Sequence, residues 1–295
     1  MAFFRTEKIN PRMTCIADVA GTHFFLVEGD HSAALIDTGS GCGDLGDLIT
    51  SLTALPVKCI LTHGHVDHAM GSGCFEQVWL HENDRELYAA HSQAQVRLGY
   101  IRGSAQSGGD PVLSQQVSEA DLQPVHPVDR LLPLQVGDRF DLGGVTVEIC
   151  PGCGHTQGCV TILLPELRTL ILGDACNGFT FLFDQCASSV SDYRAMLCQL
   201  KEMVAGRYDT ALVCHGPVPF APADMIDSVI AVCDDVLAGR ADNLPFAGFN
   251  GEPALIAKAM DFRRFCRVDG GAGNIVYNPD NLLQEEHHHG KRSHF

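Results

Sequence analysis

Thr62-His63-Gly64-His65-Val66-Asp67-His68 decides how this chain reads. It closes a short apolar run at 57–62 and sets three imidazoles and one carboxylate side by side. Such a cluster makes a poor core, because each buried polar group without a partner costs on the order of 1 to 3 kcal/mol. Imidazole nitrogen and carboxylate oxygen are natural ligands for zinc, manganese or iron. A metal site directly after a strand is therefore the expected chemistry. One turn cannot close the shells of two ions, so further ligands must come from elsewhere in the chain.

Three other segments supply them. His155 lies in Pro151-Gly152-Cys153-Gly154-His155-Thr156-Gln157-Gly158, Asp174 in Gly173-Asp174-Ala175, and His215 in Cys214-His215-Gly216-Pro217. Each follows an apolar run and stands beside glycine, as does Asp37 in Ile36-Asp37-Thr38-Gly39. Open α/β sheets hold their binding sites at the carboxyl ends of strands. Strands are expected at 23–27, 33–37, 57–62, 77–80, 145–150, 160–164, 169–172 and 210–214, and helices at 82–91, 189–205 and 223–238. That alternation predicts the α/β class. A catalytic domain is expected over 1–242, with an insertion or lid near 99–133 where no periodic pattern holds. Residues 243–283 read as an extension packed on the core, and 284–295 as a disordered tail whose His287-His288-His289 is an uninformative tract.

Composition narrows the partners. The chain has 295 residues, 45% apolar and 19% charged, an ordinary globular balance. Asp and Glu number 36 against 20 Lys and Arg, a net charge of -16, which works against binding the phosphates of nucleic acid. The 13 cysteines are odd in number and scattered, which fits a reducing cytoplasm better than a disulfide scaffold. No apolar run reaches the roughly 18 residues of a membrane span. The expected partner is a small-molecule substrate, and self-association into a homo-oligomer stays open.

Taken together, these segments resemble the metallo-β-lactamase fold superfamily, in particular hydrolase branches such as glyoxalase II and the N-acyl homoserine lactonases. The resemblance implies a four-layer αβ/βα sandwich with the site along one edge. It implies His63, His65 and His155 on a first metal, Asp67, His68 and His215 on a second, and Asp174 bridging the two. Asp37 would orient the loop of ligands. Two divalent ions, most readily zinc but also manganese or iron, would be the cofactors. Asp67, Asp174 and a bridging hydroxide would leave the centre at about +1 by ion counting, so it can attract an anionic or carbonyl-bearing substrate. Hydrolysis of an ester, thioester, lactone or phosphoester follows, with Asp67 and Asp174 as catalytic residues.

Two departures from the family pattern bear on the substrate. The His155 segment reads Pro-Gly-Cys-Gly-His where the family usually has Pro-Gly-His, and Asn177 stands where the lactonases have tyrosine. Asn177, Phe179 and Tyr193 are candidate pocket residues, and Arg263, Arg264 and Arg267 candidate anion clamps. The Cys150-x-x-Cys153 pair and Gly71-Ser72-Gly73 keep an alternative open. Persulfide dioxygenases resemble this sequence in the same histidine loop and use one iron held by two His and one Asp.

Overall fold

The computed structural model describes residues 3–106, 108–248 and 253–283. Its first sheet runs in chain order: β1 (Phe4–Asn10), β2 (Met13–Asp18), β3 (His23–Glu28), β4 (Ala33–Ile36), β5 (Val57–Ile60), β6 (Val78–His81) and β7 (Leu132–Leu134). Strands β1 to β4 pair antiparallel and β4 to β7 parallel. Next come β8 (Arg139–Asp141), β9 (Thr146–Pro151), β10 (Val160–Leu164), β11 (Thr169–Ile171), β12 (Thr180–Leu182), β13 (Thr210–Leu212) and β14 (Phe220–Ala221). All of these except β12 form a second sheet in the order β14-β13-β11-β10-β9-β8. Strand β12 joins a third sheet with β15 (Leu244–Ala247), β16 (Pro253–Ile256) and β19 (Ile275–Tyr277), while β17 (Met260–Asp261) and β18 (Cys266–Arg267) make a small hairpin.

Alternation along the strands explains the layering. Phe25, Val27, Ala34 and Ile36 face one way and meet Val147, Ile149, Ile162, Ile171 and Leu212 of the second sheet. Phe24, Leu26, Ala33 and Leu35 face the other way, onto Leu45 and Ile49 of helix α1 (Leu45–Leu52). Helices α2 (Val66–Ala69) and α3 (Arg85–His91) cover the rest of that face, through Val66, Ala69 and Tyr88. Beyond them lie α4 (Ala94–Gly103) and α5 (Leu113–Gln116). On the far side, α6 (Val190–Val204) and α7 (Met225–Leu237) pack on Leu163, Leu170 and Leu172. The order is helix, sheet, sheet, helix, the four-layer sandwich expected.

The eight expected strands all form, with ends moved by a residue or two, and the three expected helices form as well. Among the described residues, four helices were not anticipated: α1, α4 and the single turns α2 and α5. Helix α1 contains Gly46 and the β-branched Ile49 and Thr50, a weak helix sequence. It forms because Asp44 caps it by accepting the Asp47 N–H at 2.9 Å, and because Leu45 and Ile49 are buried on the sheet. Helix α4 escapes periodicity because its buried positions are Arg97 and Ile101, one of them charged. It falls at the start of the segment expected to be a lid. The two sheets are stitched together at one edge, where the Val160 N–H donates to the Thr62 carbonyl at 2.9 Å and the His23 N–H to that of Cys214 at 2.8 Å.

Candidate metal centre

That stitched edge gathers the carboxyl ends of β4, β5, β9, β11 and β13. It brings together all seven residues expected at the metals. His63, His65 and His155 form one group with ligand atoms within 4.8 Å of one another; Asp67, His68 and His215 form a second; and His63, His68 and Asp174 a third that joins them. In the first group, His65 Nδ1 lies 3.1 Å from His63 Nε2 and 2.9 Å from His155 Nε2. Tetrahedral nitrogens around zinc at about 2.05 Å would sit roughly 3.3 Å apart. Asp174 Oδ2 stands between the groups, 3.1 Å from His215 Nε2, 3.3 Å from His68 Nε2 and 3.8 Å from His155 Nε2.

Hydrogen bonds fix which nitrogen each ring turns inward. The carboxylate of Asp37 accepts from the Thr62 N–H and hydroxyl, each at 2.7 Å, and from His68 Nδ1 at 2.8 Å. Since the Thr62 hydroxyl donates to Asp37, its oxygen accepts from His63 Nδ1 at 3.0 Å. His155 Nδ1 donates to the Phe181 carbonyl at 2.9 Å. The Nε2 atoms of His63, His68 and His155 therefore all point into the centre. Asp37 holds this post with a φ of +64°, a backbone conformation uncommon outside glycine and most tolerable for Asp and Asn.

The centre is starved of donors in one respect that matters. His68 Nε2 and Asp174 Oδ1 are buried with no hydrogen-bond partner. An orphaned imidazole nitrogen and an orphaned carboxylate oxygen in one pocket fit a cation between them. The electrostatics agree. Burial pushes His63 and His65 well below the ordinary imidazole range, so both stay neutral and able to ligate. Burial works to raise the carboxyls of Asp67 and Asp174, but the protonated imidazoles of His68 and His215, themselves pushed up by these carboxylates, hold both well below the usual range; a bound cation would take over that positive charge and leave both imidazoles neutral. The two carboxylates are anions at neutral pH.

Other expected site residues land differently. Tyr193 is fully buried, its hydroxyl donated to the Ala175 carbonyl at 2.8 Å and its ring against Gly154, where an added Cβ would lie 2.3 Å from it. It props the His155 and Asp174 loops from beneath and does not face a substrate. Asn177 is also buried, its side chain accepting from the Phe179 N–H at 2.7 Å to form the turn after Asp174. Phe179 does stay partly open. It contacts Phe181, Phe246, Phe262 and Phe265, with ring centroids 5.6 to 6.1 Å away, and Phe262 is 59% exposed. Arg267 is held inside by the Gly273 carbonyl at 2.8 Å and by Asp269, so it clamps its own chain, whereas Arg264 is exposed beside Asp261. Cys150 is buried and Cys153 exposed, both free, and burial pushes the Cys150 thiol up to about 11. Gly71 and Gly73 are required by space: a Cβ would lie 2.4 Å from the Thr38 carbonyl and 2.0 Å from that of Pro124. His287 to His289 lie outside the described residues.

Three side chains at the centre went unread in the sequence. Tyr100 of α4 donates to Asp67 Oδ2 at 2.7 Å, and Thr22 donates to the same oxygen at 3.0 Å. Asp84, at the start of α3, binds both histidine loops. No local pattern marks any of them. Tyr100 lies in the segment taken for an excursion, and Asp84 looks like an ordinary helix cap.

The profile of the metallo-beta-lactamase superfamily matches residues 17–215, which contain every residue of the centre. The chain belongs to that superfamily. Among curated relatives of this member, the human protein "Acyl-coenzyme A thioesterase MBLAC2" is 25% identical over 194 residues, 62% of this chain and 68% of that one. The hydroxyacylglutathione hydrolase of Ruegeria pomeroyi is 35% identical over 101 residues, 34% and 36% of the two chains. The fold matches a metallo-beta-lactamase from Pontibacter korlensis with a TM-score of 0.56 at 18% identity, over 79% of this chain and 99% of that one. Superfamily membership carries divalent-metal binding with it, and the grouped His and Asp residues supply suitable ligands.

Proposed function

We propose that this protein is a dinuclear metal-dependent hydrolase of small thioesters. The observation that carries the reading is the convergence of two three-residue ligand groups joined by Asp174, within which His68 Nε2 and Asp174 Oδ1 are buried without a hydrogen bond. His63, His65 and His155 would hold one ion, Asp67, His68 and His215 the other, with Asp174 reaching both. Zinc suits this nitrogen and oxygen donor set best, with manganese or iron as alternatives. When bound, two such ions supply a nucleophile from water at neutral pH and offset negative charge on the substrate's carbonyl oxygen.

The residues of the chain do the rest. Asp37 and Thr62 keep the imidazoles aimed inward, so the ligands need little reorganisation. Tyr100, kept protonated by its burial and by Asp67 beside it, holds one carboxylate oxygen of Asp67 in place. The aromatic strip from Phe181 through Phe179 to Phe262 runs out from the His155 loop to solvent, and offers an apolar surface to an acyl group. The thioester assignment draws support from two relatives, one named for acyl-coenzyme A and one for hydroxyacylglutathione, both thioesters.

The deciding experiment combines metal analysis of the purified protein with a panel of thioester, lactone, carboxyl ester and phosphodiester substrates. About two zinc or manganese per chain, with thioesters cleaved fastest, is the expected result. A mononuclear iron form that consumes oxygen on a persulfide would replace this reading by the oxidoreductase one. The complete second ligand group favours the hydrolase.

A further inference from the structure

We infer that Asp84 is the positioning residue of the three-histidine site, a single carboxylate that fastens both loops carrying His63, His65 and His155. Asp84 stands at the N-cap of α3, where Asp ordinarily accepts from its own helix. Here it makes no capping bond. The side chain, 1% exposed, turns away and accepts three hydrogen bonds: from the Gly64 N–H at 2.9 Å, the Thr156 hydroxyl at 2.7 Å and the Gly158 N–H at 2.7 Å. Gly64 sits between His63 and His65, and Thr156 directly follows His155. Two of the three anchors thus act within one residue of a ligand, and the third, Gly158, closes the same loop three residues after His155.

The same contact accounts for two glycines of the ligand loops. A Cβ on Gly158 would lie 2.6 Å from Asp84 Oδ1, and one on Gly64 2.7 Å from the Asp84 carbonyl oxygen. Neither glycine has a positive φ, so the requirement is space beside Asp84 and not backbone conformation. Charge-assisted bonds to a buried carboxylate are about twice as strong as neutral ones, and here they join segments that are otherwise far apart in the chain. Asp37 performs the matching task for Thr62 and His68. Together the two carboxylates would preorganise the centre, Asp84 on the three-histidine side and Asp37 on the other.

The inference rests on the metal centre proposed above but not on the reaction assigned to it, so its test reads metal retention. Wild-type protein, Asp84→Asn, Thr156→Val and Glu148→Gln are loaded with zinc and titrated with a chelator. Glu148 is a control: a buried carboxylate bound to Arg139 and Arg207, with no contact to the ligand loops. Asp84→Asn is expected to bind one of its two zinc ions, the one at the three-histidine site, 10- to 100-fold less tightly, the usual effect of losing a partner that orients a ligand. Thr156→Val should shift it the same way by a smaller factor, and Glu148→Gln should leave it unchanged. Zinc retention in Asp84→Asn equal to wild type overturns the proposal. So does an equal loss in Glu148→Gln, because the effect would then be general destabilisation. If Asp84→Asn yields no folded protein, Thr156→Val decides alone, and wild-type retention there counts against it.

Discussion

At the residue scale, the centre is built by carboxylates that touch no substrate. Asp37 and Asp84 each accept three hydrogen bonds and aim the imidazoles. A further imidazole, outside the centre, has no such partner. His23 is buried with an unpartnered Nδ1, and burial lowers its value to about 4, with His215 and Arg5 adding to the effect. The unfolded chain, near 6.5, takes up a proton that the folded chain refuses. Stability from His23 is therefore intact above pH 6.5 and falls as the pH drops from 6.5 toward 4. Denaturation midpoints of His23→Gln should accordingly fall less steeply than wild type across that window, by up to one proton, and parallel curves would remove His23 from the acid response. No local signal marks this, since nothing in 23–27 distinguishes a buried imidazole from a solvated one.

At the scale of elements, helix α4 overlaps the start of the segment expected to be an insertion or lid and is tied to the core by its inward face. Its buried Arg97 donates to the carbonyls of Ser40 at 3.4 Å, Gly41 at 2.6 Å and Gln123 at 2.8 Å. Tyr100, three residues on and so on the same face, is thereby held with its hydroxyl on Asp67. Hydrogen bonds from a charged group are worth about 1.5 to 3 kcal/mol each, and losing them leaves buried carbonyls unpaired. Arg97→Ala should cost on the order of 3 kcal/mol in denaturant unfolding, and Arg97→Lys should not restore it, because an ammonium cannot present the planar fork of donors. Tyr100→Phe should cost about 1.5 to 3 kcal/mol, one hydrogen bond to a charged carboxylate. Equal stability of Arg97→Ala and wild type would show that α4 is not pinned in this way. Strands were legible because alternation and strand-end glycines are local signals. Helix α4 was not, because its inward face carries a charge paired to carbonyls remote in the chain.

At the scale of the whole molecule, two sheets stack so that the ends of five strands meet along one edge, and five histidines and two aspartates converge there. Bound metal must then be part of the fold's stability. Any ion that binds only the folded state at about 1,000 times its dissociation constant adds roughly 4 kcal/mol. Chelation should lower the thermal midpoint by roughly 8 °C, with recovery on adding zinc; an unchanged midpoint would mean that the site is empty or uncoupled from folding. The sequence by itself determined the class of fold, the superfamily and which histidines and aspartates converge at the centre. Those signals are contiguous: apolar runs, glycine at strand ends, and histidines spaced along one turn. Only the tertiary structure decided that Tyr193 and Asn177 are internal supports, that Phe179 opens onto an aromatic strip, and that Tyr100 and Asp84 belong to the centre. Asp84 and Thr156 are 72 residues apart, Tyr100 and Asp67 33. A hydrogen bond depends on where two side chains meet in space, and residues that distant in sequence meet only through the packing of the elements between them.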